Sequence, residues 1–392
     1  MDINIGAFRW DLILSSKDYL DKTGKLFLYK SNSLDTIITA SQAETGFVII
    51  PLISSILNLD VNFIKNFLFV LLTLITLILS FYSSFKFSLN LKTKIFSIIF
   101  FSILISLSYP LYISKYAEYS IHYFFSILAI YPIYLTSKEK LNSNKILLYL
   151  FLFSIIAIIY GLMRDYSYLN LLIMFGYIVL FKIKENKFYK IFCIIILISP
   201  IFVNNIIAKN TSIIMNKNFN EIAKNNSNII SHNEDILLGQ SVWHSLYASL
   251  GFLNNDIVKG RDGYDDDIIR DVFNRDPLID YHFYVSDDNK ILTELKNIFF
   301  ENPIFIFKTF FAKLGIIFGY FLLIANIGIF IFKNNFYFKN KEKVNLLLLN
   351  FLLASLFPLV AVPSKVYMGG VISSSFLILY FFILSLINTK SK

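Results

Sequence analysis

Residues 63–82 read Phe-Ile-Lys-Asn-Phe-Leu-Phe-Val-Leu-Leu-Thr-Leu-Ile-Thr-Leu-Ile-Leu-Ser-Phe-Tyr, with Lys65 as the one charge. The stretch has no polar face at either the helical or the strand period. A segment that is apolar all round belongs in a protein core or in lipid. Twenty residues at about 1.5 Å each give about 30 Å, the thickness of a bilayer's hydrocarbon layer.

Working outward, nine such segments are expected: Phe63–Tyr82, Ile95–Ile113, Tyr119–Leu135, Ile146–Leu162, Tyr166–Ile183, Phe188–Ile207, Ala312–Phe332, Val344–Val362 and Val366–Leu386. The third and fifth are short. In lipid a chain must satisfy its backbone internally, so the segments are expected to be helices. The fold class is therefore all-α: a polytopic membrane protein with about nine transmembrane helices, interfacial helices and one partly helical external segment. Composition agrees. The 392 residues are 56% hydrophobic, 17% aromatic and 16% charged, and the mean hydropathy is +0.61. A soluble domain carries about 25% charged residues. Disorder is excluded, and no nucleic-acid partner is expected. The one cysteine, Cys193, rules out a disulfide framework or a thiolate metal site within one chain.

Lysine orients the spans. One set of short loops carries sixteen bases (Lys86, 92, 94, 138, 140, 145, 182, 184, 187, 190, 333, 339, 341, 343, 390 and 392); the alternate short loops carry three, Lys115, Arg164 and Lys365. By the positive-inside rule the lysine-rich set and the C-terminus are cytoplasmic. The segment 209–302 holds fifteen acids and nine bases and is expected outside. The abundance of Ile, Phe, Lys and Asn suggests an AT-rich bacterial genome. That points to the bacterial inner (cytoplasmic) membrane, with 209–302 periplasmic. Four parts follow: residues 1–60, an external loop and interfacial helix; 61–208, a six-helix membrane region; 209–302, the external segment; and 303–392, three further spans preceded by an amphipathic stretch, Pro303–Phe311, at the interface. Residues 1–60 carry no signal peptide, and the simplest expectation is a helix upstream of this sequence. No GxGxxG, P-loop, HExxH or GxSxG occurs.

The external side carries the candidate chemistry. Asp11 lies in Phe8-Arg9-Trp10-Asp11, Lys115 and Glu118 in Lys115-Tyr116-Ala117-Glu118-Tyr119, and Arg164 and Asp165 join the fourth and fifth spans. Each alone reads equally well as an ordinary membrane-edge charge. Together they suit a reaction that deprotonates a hydroxyl and expels a phosphate. In the external segment, Trp243-His244-Ser245-Leu246-Tyr247 places Trp243 and Tyr247 one helical turn apart on a face shared with Leu250, flanked by His244. This is either an amphipathic helix lying on the membrane or a lid over a lipid phosphate or sugar. Arg261 opens Arg261-Asp262-Gly263-Tyr264-Asp265-Asp266-Asp267. Its DxD-like acids allow a divalent cation, but such a run more often forms a solvated turn leading into a helix. No particular cofactor is indicated, and a divalent metal is allowed. His122, His232 and His282 show no ligand spacing and read as structural or surface residues.

This pattern resembles the GT-C class of integral-membrane glycosyltransferases, in the style of the protein O-mannosyltransferases and aminoarabinose transferases. Four stretches carry the likeness: the acidic first external loop with Asp11 leading into Thr45-Gly46-Phe47-Val48-Ile49-Ile50-Pro51-Leu52; Ser108–Tyr119 with Glu118 before the third span; Gly161-Leu162-Met163-Arg164-Asp165; and Trp243–Tyr247. The resemblance implies transfer of a sugar from a polyprenyl-phosphate donor to a hydroxyl of a lipid, glycan or protein acceptor, with inversion. Asp11 would be the base and Glu118 would position the acceptor. Lys115, Arg164 and His244 would bind the donor phosphate, and Asp165, Trp243, Tyr247 and Arg261 the substrates. The alternatives are an O-antigen polymerase or ligase relying on Arg261, Arg270 and Arg275, and a lipid or polysaccharide transporter. The near absence of acids inside spans argues against ion-coupled transport.

Overall fold

The computed structural model describes residues 3, 7–25, 46–88, 90–113, 116–138, 142–164, 166–224, 242–253, 255–258, 288–326, 334–361, 363–364 and 367–390. Among them there is no strand. In chain order the helices are α1 (Ala7–Thr23), α2 (Ile49–Leu57), α3 (Val61–Phe87), α4 (Leu91–Ser106), α5 (Tyr109–Ile113), α6 (Ser120–Leu128), α7 (Ile130–Thr136) and α8 (Ser143–Met163). They continue as α9 (Leu169–Tyr177), α10 (Lys187–Lys224), α11 (Val242–Leu250), α12 (Asp288–Glu301), α13 (Pro303–Ala325), α14 (Asn334–Val360) and α15 (Gly369–Lys390). Among the described residues seven stretches are long and apolar enough to cross a membrane: Val61–Phe87, Leu91–Tyr112, Ser143–Met163, Lys187–Thr211, Pro303–Ala325, Lys341–Val360 and Gly369–Asn388. This is an all-α, multi-pass membrane protein.

The two remaining expected spans are the short ones: Leu169–Lys182 is a shorter apolar helix, and the Tyr119–Leu135 segment is broken and buried. Every residue of α6 and α7 is buried except His122. The pair sits at the centre, touched by α3, α9, α14 and α15. Pro132 offers no N–H to the Leu128 carbonyl, and its ring crowds that carbonyl; α6 accordingly stops at Leu128. Just upstream, two asparagines fasten the interior. The Asn170 amide of α9 donates to the Phe125 carbonyl at 3.2 Å and to Asn350 Oδ1 at 2.8 Å. Asn350 of α14 donates to the Ser126 carbonyl at 3.1 Å. Replacing Asn350 by Ala strands the Ser126 carbonyl and one Asn170 bond. It should lower stability by about 1–2 kcal/mol. The check is a thermal ramp in detergent, read by dye labelling of buried Cys193; an unchanged midpoint would contradict the latch.

Close approach of helices rests on small residues, as expected where lipid removes the hydrophobic drive between helices. On α15, a Cβ at Gly370 would stand 3.1 Å from Ser126 Oγ and 3.3 Å from Ala354 Cβ. Pro200 within α10 leaves the Ile196 carbonyl without its helical partner, and the Ser154 hydroxyl of α8 donates to it at 2.8 Å. The outer helices present Ile95, Ile99, Ile103, Phe192, Ile195, Phe202, Phe307 and Phe311 outward, as a lipid-facing surface requires.

One boundary differs from the sequence reading. Pro303–Phe311 is not a separate interfacial stretch. Pro303 opens α13, and the helix runs unbroken to Ala325, where Asn326 caps it with φ 48°. Proline at the first helical positions is preorganised for helix, and Ile304, Phe307, Phe310 and Phe311 are exposed like the rest of the lipid-facing surface. The expected span Ala312–Phe332 is thus shifted toward the N-terminus. The short helix expected near Phe47–Leu57 is present as α2, ending at left-handed Asn58.

Candidate active site at the lysine-poor end

At one end of the bundle α8 stops, α6 and α15 begin, and α14 stops. The short loops at this end are those poor in lysine. The opposite end carries the Lys182–Glu342 ion pair at 2.6 Å and Lys343 over the Phe87 ring at 5.0 Å.

Arg164 is the residue at which α8 ends. Its backbone turns extended (φ −151°, ψ 103°), and its N–H still bonds the Tyr160 carbonyl. One turn earlier, Gly161 lets Tyr168 fold back onto α8; a Cβ there would fall 2.5 Å from Tyr168 Cε1. The guanidinium is thereby directed among three rings. Its Cζ lies 4.1 Å from the Tyr119 centroid, 5.0 Å from Phe357 and 5.7 Å from Tyr367. Tyr119 and Tyr367 meet edge to face at 5.1 Å. Cation–π contact of this kind holds a desolvated guanidinium without consuming its N–H groups. The Arg164 Nε is buried and has no hydrogen-bond partner among the described residues.

Glu118 sits on the 3-10 turn Ala117–Tyr119 and is fully buried. The next residue, Tyr119, is one wall of the Arg164 cage, so the backbone at Glu118 adjoins that cage. His122 lies four residues on. Its ring stacks on Phe357 at 4.3 Å, and its Nε2 is also buried and unpartnered among the described residues. Lys313, from α13, holds the end of α14 in place by donating to the Leu359 carbonyl at 3.1 Å and the Ala361 carbonyl at 2.8 Å. Those carbonyls lie past the last helical bonds, where a cation is favoured. Phe357 and Tyr367 flank the stretch Lys313 grips.

Asp11 lies half-buried on α1. The neighbouring Trp10 ring is covered by the Lys65 ammonium at 4.1 Å, which seats α1 on the start of α3. The other acids of α1 are committed: Asp18 pairs with Lys22, and Asp21 with Lys17 and the Ser55 hydroxyl. The Lys17 hydrogen bond holds the Asp21 carboxyl below its ordinary range. Asp11 has no such partner among the described residues. Beyond α1, Lys25 pairs with Glu221 of α10, and this pairing raises the lysine above its usual range.

The α11–α12 unit has its own small core: Tyr247, Ala248, Leu250, Val258, Ile291 and Ile298. Tyr247 is fully buried there while Trp243 is 40% exposed, so the two are not equivalent on their shared helix. His244 falls on α11. Lys115, Asp165 and Arg261 lie outside the described residues, as do the acid run 262–267, Arg270, Arg275, His232 and His282. Among the described residues no group of three or more His, Cys, Asp or Glu side chains gathers as a metal site.

Sequence reasoning selected Arg164, which aromatic rings surround, and Glu118, next to the cage residue Tyr119, and missed His122, Phe357, Tyr367 and Lys313. His122 carried a usable signal, its spacing of one helical turn from Glu118. The two rings carried none, because they come from the far end of the chain. No family model matches the chain, and no curated protein or solved structure is similar to it.

Proposed function

We propose that the protein is a membrane glycosyltransferase that moves a sugar from a polyprenyl-phosphate donor to an acceptor hydroxyl at the lysine-poor end of its bundle. In the reading adopted here that end faces the periplasm of a bacterial inner membrane, and the lysine-rich end faces the cytoplasm. The observation that carries the reading is the Arg164 guanidinium: cationic, walled by aromatic rings, with a buried Nε–H for which the described residues supply no acceptor. An N–H left bare in this way costs free energy unless an acceptor arrives. An anionic headgroup at the membrane edge supplies one.

In this mechanism the acceptor hydroxyl loses its proton to the Asp11 carboxylate as its oxygen bonds the anomeric carbon. The bond from that carbon to the phosphate oxygen breaks, and polyprenyl phosphate departs with the electron pair. Charge grows on the phosphate, where Arg164 stabilises it more in the transition state than in the ground state. Glu118 sets the position of the acceptor. Lys115 and His244 assist at the phosphate, and Asp165, Trp243, Tyr247 and Arg261 shape substrate binding. A low-dielectric, ring-walled site also excludes the water that would hydrolyse the donor.

The test uses membranes containing the full chain, supplied with polyprenyl-phosphate sugars, with release of polyprenyl phosphate followed. Release is expected for the wild type and should fall at least tenfold for Glu118→Gln, an isosteric change that preserves burial. Absence of release from every donor by correctly inserted wild-type protein would overturn the assignment.

A further inference from the structure

The imidazole of His122, with its buried Nε2, is used by nothing in the mechanism above. It lies against the same Phe357 ring as Arg164: the imidazole at 4.3 Å between centroids, the guanidinium carbon at 5.0 Å. Each group keeps one buried nitrogen, Nε2 and Nε, with no hydrogen-bond partner among the described residues. A lone orphan of this kind is a small anomaly. Two on separate elements, α6 and the end of α8, both lying against one ring, place two unpartnered nitrogens among aromatic carbon.

We infer that His122 and Arg164 form a two-nitrogen clamp that recognises the terminal phosphate of a phosphomonoester, and prefers it to a phosphodiester. The inference rests on the proposed function for the lipid that brings the phosphate, but the clamp itself rests on the two nitrogens. A phosphodiester carries one negative charge whereas a monoester carries between one and two near neutral pH. A guanidinium and an imidazole N–H in a water-poor recess favour the more highly charged oxygen set, because charge-assisted hydrogen bonds are about twice as strong as neutral ones. The donor is a diester and the departing polyprenyl phosphate a monoester, so the clamp would be complementary to charge that appears only as the bond breaks.

The test is binding, without turnover. Farnesyl phosphate, farnesyl methyl phosphate, farnesol and inorganic phosphate are titrated into the purified full chain in detergent, with phosphorus NMR and tryptophan fluorescence as readouts. Wild type should bind farnesyl phosphate at least tenfold more tightly than the methyl diester. His122→Phe, which keeps the stack on Phe357, should bring that ratio close to one, and farnesol binding should be unchanged. If inorganic phosphate competes at the affinity of farnesyl phosphate, free phosphate is the ligand and the clamp stands; if it competes only weakly, the lipid phosphate is. An unchanged monoester preference in both His122→Phe and His122→Asn, in variants with wild-type thermal midpoints, overturns the inference. A clamp that persists in a protein unable to transfer any sugar would overturn the functional proposal instead.

Discussion

Asp11→Asn should lower sugar transfer about 10²–10⁴-fold, the usual loss on removing a general base, with membrane insertion and thermal stability unchanged. The physical basis lies in how α1 is held. Its seat is made by Trp10 under the Lys65 ammonium and by buried Ile13, neither of which involves the Asp11 carboxylate. Asparagine matches aspartate in shape, so the substitution removes a negative charge and a proton acceptor and nothing else. The contrast is Asp21→Asn. That carboxylate is exposed and tied to Lys17 and Ser55, and exposed ion pairs contribute little. It should leave transfer within about twofold. The comparison separates a base from a merely acidic helix. Transfer by Asp11→Asn within threefold of the wild type, with the protein inserted, would remove Asp11 from the mechanism.

The membrane architecture was legible because it rests on local chemistry that a sequence displays. Runs such as residues 63–82 have no polar face, and no other environment than lipid or a core suits them. The misreadings have equally local causes. Tyr119–Leu135 looked like an ordinary short span, yet it is the centre of the bundle, bent at Pro132 and fastened by Asn170 and Asn350. Hydropathy alone does not separate lipid contact from protein contact, since both environments are apolar. Pro303–Phe311 looked amphipathic because Lys308 interrupts it, but a proline at the start of a helix commits the following residues to it.

The site was legible only in part. Glu118 and Arg164 stood out as charges at otherwise plain span ends. The cage around Arg164 was invisible, because Phe357 and Tyr367 are ordinary aromatic residues in a chain that holds 42 Phe and 24 Tyr. Their meaning comes from α14 and α15 packing beside α6, a tertiary fact with no local signature. Lys313 shows the same limit from the other direction. A lysine near the middle of a 23-residue apolar helix invites a functional reading, yet its ammonium is spent on the carbonyls ending α14.

Arg164→Lys should lower kcat about 10²–10³-fold, the range seen on losing one preorganised donor to developing charge, while KM changes little. Charge is conserved, so simple electrostatic attraction of the donor survives. What disappears is geometry. The guanidinium is a plane that stacks against Tyr119 at 4.1 Å and keeps its Nε–H directed by that stacking. An ammonium is a compact, strongly hydrated ion with no plane to stack. It should withdraw toward water and leave the phosphate unattended as the bond to the sugar breaks. A kcat effect without a KM effect assigns the lost interaction to the transition state; the reverse pattern would make Arg164 a docking charge only. Combined with Asp11→Asn, the loss should be smaller than the product of the two single losses, because base and phosphate clamp act in one displacement and residues acting as a unit are not additive. Multiplicative losses would place the two groups in separate steps and break the single-displacement mechanism.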